Sequence, residues 1–103
     1  MAKRTNLGKD IFDFISEIKK NIKVKSIYFF GSYVKGKSHR YSDIDLAIVS
    51  DDFTGFKFED RKKINPLILK TNINIEVHPF TAKEFKEKNP FVKEIIETGK
   101  RLF

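Results

Sequence analysis

Apolar residues recur at helical spacing from near the start of the chain. Leu7, Ile11, Phe14, Ile15, Ile18 and Ile22 share one face, which predicts an amphipathic helix over residues 7–21. Residues 24–30 are apolar on both faces and predict a central strand. Residues 31–42 read as a glycine turn, a short helix and a polar loop containing Lys37, Ser38, His39 and Arg40. A second strand is predicted over residues 43–50, closed by Asp51 and Asp52 as a solvated turn. A helix follows over residues 59–71, with a bend or register break at Pro66, which has no N–H to donate. Ile73, Ile75 and Val77 then alternate with Asn74, Glu76 and His78, the pattern of a half-buried strand. Thr81 and Glu84 stand at capping-box spacing and predict a short helix. Asn89, Pro90 and Gly99 occupy the cap, first-turn and terminal positions of a last helix. Helices interleaved with a few strands predict a small α/β sandwich, one domain over residues 1–103.

Composition narrows the function classes. There is no cysteine, which excludes disulfides and thiolate metal sites. No apolar run approaches membrane-spanning length and the first residues contain no apolar signal segment, so a cytoplasmic protein without a membrane partner is expected. The net charge of +7 suits a polyanionic substrate, an acidic partner or nucleic acid. Because the lysines are spread along the chain rather than blocked, a generally lysine- and isoleucine-rich proteome accounts for the charge equally well; nucleic acid is a possible partner but not the favoured one.

The chemistry is concentrated in Gly31-Ser32 and, ten residues on, Asp43-Ile44-Asp45-Leu46. At i, i+2 on a strand, Asp43 and Asp45 project to one side while Ile44 and Leu46 enter the core. Two carboxylates held that close repel unless a cation sits between them, and an all-oxygen set favours a hard divalent ion such as Mg²⁺. A glycine before a small hydroxyl residue lets backbone N–H groups approach a phosphate. A metal clamp beside a phosphate cradle suggests transfer of a nucleotidyl or phosphoryl group.

The run Gly31-Ser32-Tyr33-Val34-Lys35-Gly36 followed by Ser42-Asp43-Ile44-Asp45-Leu46 resembles the signature of the DNA polymerase β-like nucleotidyltransferase superfamily. Within it, the chain is most similar to the minimal nucleotidyltransferase (MNT) antitoxins, from about Ser26 to His78 and again in the final helix. The resemblance implies the mixed, helix-packed sheet of the polymerase β palm. It implies two Mg²⁺ ions and ATP as substrate, with Asp43 and Asp45 binding both metals. Glu76, where many relatives have Asp, is the candidate third carboxylate that completes the acceptor-side metal. Gly31 and Ser32 would hold the β- and γ-phosphates. Lys35 stands where many relatives carry Arg, keeping the charge without the bidentate fork. Ser42 either caps the strand entry or touches a phosphate.

Asp51 and Asp52 are rivals to Glu76 but read better as a turn, His39 as an exposed loop residue and His78 as structural. Phe53, Phe56 and Phe58 around Gly55 are read as a docking patch rather than satellite core. The resemblance implies AMP transfer to a tyrosine of a helical HEPN ribonuclease toxin. The alternatives are a nucleotidyltransferase acting on a small molecule or RNA end, and a non-catalytic module that neutralises its partner by contact.

Overall fold

The computed structural model describes residues 7–31, 44–71 and 74–103. The elements run α1 (Leu7–Asn21), β1 (Val24–Phe30), β2 (Ile44–Ser50), α2 (Lys57–Ile68), β3 (Ile75–Phe80), α3 (Pro90–Thr98) and β4 (Lys100–Arg101). The four strands form one mixed sheet in the order β3-β2-β1-β4. β1 is antiparallel to both β2 and β4, whereas β2 and β3 are parallel. α2 supplies the crossover that a parallel pair requires.

Strand alternation splits the core into two faces. Ile27, Ile44, Leu46, Ile48, Ile75 and Val77 pack with Ile11, Phe14, Ile18, Ile64 and Leu67 of α1 and α2. Phe30, Ala47, Val49 and Phe80 pack on the other face with Val92 and Ile95 of α3. The sandwich reading therefore holds, with β1 and β2 central as their two-sided apolarity requires. No helix among the described residues is long and apolar enough to cross a membrane.

Several local expectations change. α2 starts at Lys57 rather than at residue 59 and runs through Pro66 to Ile68. Its first turn is fastened by Asp60, fully buried, whose carboxylate accepts from Thr54 N (2.7 Å), Thr54 Oγ1 (2.9 Å) and Gly55 N (3.0 Å). Thr81 and Glu84 make both reciprocal capping-box bonds, at 2.9 and 3.1 Å, yet only a turn follows. Phe85 is drawn onto Phe80 and Tyr28, and Pro90 disfavours helical backbone at Asn89, so a helix begun here has no room to propagate. Asn89 caps α3 as expected, its side chain accepting from Phe91 N and Val92 N. Gly99 ends α3 through lack of space: a Cβ there would lie 2.5 Å from Ile95 O and 2.9 Å from Phe29 O.

The docking patch must also be redrawn. Phe53 is 5% exposed and belongs to the main core, whereas Phe56 and Phe58 are each 72% exposed. The turn after β2 folds Phe53 back under α2, which an apolar count along the sequence cannot register.

Candidate functional site

Because β1 runs against β2 and β3, its C-terminal end meets their N-terminal ends. In register, Asp45 lies between Phe30 on β1 and Glu76 on β3. Ile44 and Leu46 are buried on the α1–α2 face, so Asp45 projects toward the α3 face, as do Glu76 and His78, which alternate with the buried Ile75 and Val77.

Three side chains converge there. His78 Nε2 lies 3.2 Å from Asp45 Oδ1 and 3.7 Å from Glu76 Oε2. One ligand atom from each of Asp45, Glu76 and His78 falls within a 4.8 Å span. Access is graded: the Glu76 side chain is 49% exposed, Asp45 23% and His78 19%. The histidine ring is fixed edge-on against Phe30 (centroids 5.0 Å apart) and Phe91 (5.8 Å), so its contact with Asp45 is made from a packed position. His78 therefore combines the expected structural role with a polar contact to Asp45. The contact runs diagonally between neighbouring strands and follows from register, which the sequence does not state.

Gly31 closes the site from the end of β1. Its φ is +92°, and a Cβ at this position would run into Asp45 Oδ2. The glycine is thus required twice, for a left-handed backbone and for the carboxylate lying against it. Asp51 and Asp52 sit at the far end of β2, where Asp51 pairs with Lys25 at 3.1 Å and Asp52 accepts from Lys23 N at 2.8 Å. That is the solvated turn expected of them. Asp43, Ser32, Lys35 and Ser42, with His39, lie outside the described residues.

The donor set suits a divalent cation. Asp45 and Glu76 offer partly exposed carboxylate oxygens from adjacent strands, in reach of one ion. His78 contributes a nitrogen, which a hard ion takes less readily, and it fits better as the group orienting Asp45.

A mixed sheet with acidic side chains gathered where its strand ends align defines the class: an α/β domain with a candidate cation site beside a glycine turn. Comparison with known proteins makes that specific. The nucleotidyltransferase domain family matches residues 10–103, and the chain belongs to that family. It is 34% identical over 80 residues to MJ1379 of Methanocaldococcus jannaschii, which bears the name of a protein adenylyltransferase; the match covers 78% of this chain and 77% of that protein. It is 50% identical over 38 residues to MntA of Haemophilus influenzae, also named for protein adenylyltransferase activity; there the match covers 37% of this chain and 33% of that protein. The matched stretch is thus about a third of the length of that curated relative. Among solved structures, the chain is similar to one of a toxin–antitoxin with AMP-PNP (TM-score 0.58, 26% identity, 92% of this chain and 71% of that chain).

Proposed function

We propose that the chain is a Mg²⁺-dependent nucleotidyltransferase that moves AMP from ATP onto a protein hydroxyl, acting as the antitoxin to a HEPN-type ribonuclease toxin modified on tyrosine. The observation that carries this reading is the approach of Asp45, Glu76 and His78 to one another beside Gly31. The AMP-PNP in the similar toxin–antitoxin structure and the names of the two curated relatives support ATP and a protein acceptor.

In the proposed reaction the acceptor oxygen forms a bond to the α-phosphorus, the bond from that phosphorus to the bridging oxygen breaks, and pyrophosphate leaves. Asp45 and Glu76 would hold Mg²⁺, and on the motif alone Asp43 would join Asp45 in holding both ions. Bound there, the metal supplies charge neutralisation at the phosphates and acidifies the acceptor hydroxyl. Glu76, the most exposed of the three converging side chains, takes the hydroxyl proton. His78 keeps the Asp45 carboxylate from rotating away. Gly31, Ser32, Lys35 and Ser42 are proposed to hold the triphosphate, again on the motif.

The test is to incubate the purified chain with Mg²⁺, ATP and the product of the adjacent gene. The expected result is AMP-sized mass increments on a tyrosine of that product and loss of its RNase activity, both absent with Asp45→Asn. Quenching that persists undiminished in Asp45→Asn without any mass shift would overturn the enzymatic reading and leave a contact-only module.

A further inference from the structure

Beside the carboxylates stands a cluster of rings whose outermost member is Phe91. On this face β2 contributes only Ala47 next to Asp45, so Phe30 and His78 meet from the two flanking strands, with centroids 5.0 Å apart. Phe91 lies against both, at 5.6 and 5.8 Å, and against Phe80 at 6.2 Å. Phe30 and Phe80 are buried, whereas Phe91 is 43% exposed. Its backbone is fixed as well: Pro90 precedes it at the start of α3, and Asn89 Oδ1 accepts from its N–H at 2.9 Å. A ring left nearly half in water yet held by three others is a preorganised surface for a further planar group.

Under the transfer reading two planar groups come to the site, the nucleobase of ATP and the phenol of an acceptor tyrosine. They differ in how far they stand from the reacting atoms. A ribose separates the base from the α-phosphate, whereas the phenol ring carries the reacting oxygen directly. Phe91 is one ring removed from the carboxylates, since His78, which touches it, lies 3.2 Å from Asp45 Oδ1 and 3.7 Å from Glu76 Oε2. That short separation fits the phenol. We propose that Phe91 is the shelf against which the acceptor's phenol ring lies, so that the site takes an aromatic hydroxyl in preference to serine or threonine. An aliphatic hydroxyl at Glu76 would leave the exposed face of Phe91 in water. The inference rests on the transfer reading and adds the residue that selects the class of acceptor.

The test titrates the full chain with N-acetyl-tyrosine amide in millimolar excess, in the presence of Mg²⁺ and ATP whose α,β-bridge is a methylene, which blocks transfer. The phenol protons should shift upfield through the ring current of Phe91. N-acetyl-cyclohexylalanine amide, which has a six-membered ring without the π system, and N-acetyl-serine amide should bind several-fold more weakly. Phe91→Leu should weaken phenol binding about 2–10-fold, Phe91→Trp should restore it, and the methylene-bridged nucleotide should bind both variants as it binds the parent. With ATP and the product of the adjacent gene, Phe91→Leu should raise KM for that protein by the same factor and hold kcat. An equal loss of nucleotide affinity would put the ring under the base. That result, undiminished phenol binding in Phe91→Leu, or no phenol shift with the parent chain would each overturn the inference. Phenol binding that is lost in Phe91→Leu, with no AMP on the adjacent gene's product, would leave the shelf standing and count against the transfer reading.

Discussion

Replacing Gly31 by alanine separates two demands on that position, because Gly55 supplies a matched control. Both have nearly the same left-handed φ, +92° and +95°, so alanine carries a similar backbone penalty of about 1–3 kcal/mol at each. The surroundings differ. At Gly55 the nearest atoms to an added Cβ, Glu84 Oε2 and Thr81 Cγ2, are 3.9 and 4.0 Å away, ordinary contact distances. At Gly31 the Cβ collides with Asp45 Oδ2. That oxygen ends a short side chain, so the carboxylate swings rather than the strand moving, and the 3.2 Å contact with His78 is given up. Losing it adds about 1 kcal/mol. Gly31→Ala should then melt roughly 4–8 °C below Gly55→Ala, since a domain of this size shifts by about that much per kcal/mol.

The functional difference should be far larger. A carboxylate displaced by about 1 Å from its working position loses on the order of 10²-fold in rate. Gly55 lies at the loop before α2, away from the three converging side chains, and Gly55→Ala should keep parent activity. Thermal melts followed by circular dichroism, with Mg²⁺-ATP calorimetry and AMP transfer on both variants, decide the matter. Equal melting temperatures together with equal transfer would refute the claim that Gly31 is shaped around Asp45.

Asp60→Ala strands the N–H groups of Thr54 and Gly55 that its buried carboxylate satisfies, so chemical denaturation should report a loss of about 2–4 kcal/mol with the carboxylate site still able to bind metal. His78→Ala should weaken metal binding about 10–100-fold by freeing Asp45, read by Mn²⁺ titration; unchanged affinity would leave the histidine as packing alone. Burial lowers the Lys57 pKa below its usual 10.5, with Glu84 and Asp60 opposing. Between the lowered value and 10.5 the unfolded chain binds more protons, so stability tied to Lys57 rises with pH in that window. The stability of the parent chain relative to Lys57→Met should therefore increase from neutral pH toward 10.5, and a flat or falling difference would count against it.

What could be read from the sequence was what local chemistry decides. β1 follows from a run apolar on both faces, α1 from the apolar stripe Leu7, Ile11, Phe14, Ile15 and Ile18, and the α3 start from a capping asparagine followed by proline. Asp45 stands out in the sequence as half of the Asp-x-Asp pair after Gly31-Ser32, and Glu76 as the polar position of an apolar strand where the resemblance places a third carboxylate; the sheet sets the two in register on neighbouring strands. The rest depended on contacts that no local window contains. Asp60 fastens α2 by reaching back six residues, so no ordinary cap marks that helix start. The Thr81–Glu84 box formed but tertiary packing of Phe85 ended the turn. The burial of Phe53 and the contact of His78 with Asp45 are likewise set by how distant elements meet.

The position of the site follows from unequal cover on the two faces of the sheet. On the α1–α2 face Ile27, Ile44, Leu46 and Ile48 of the two central strands are apolar and buried, leaving no place for a solvated carboxylate among them. The α3 face is served by one helix of nine residues, about 14 Å long at 1.5 Å per residue. β2 has seven residues, about 23 Å at 3.3 Å each, so α3 cannot span it. Val92 and Ile95 cover Ala47 and Val49 and stop there, and Phe91 marks the border against Phe30 and His78. Beyond that border the same strand face carries Asp45 and Glu76 in place of apolar side chains. A longer helix would have demanded hydrophobic residues at those two positions. The short one leaves the strand ends open to solvent, which is the condition for a cation and a phosphate to reach the two carboxylates.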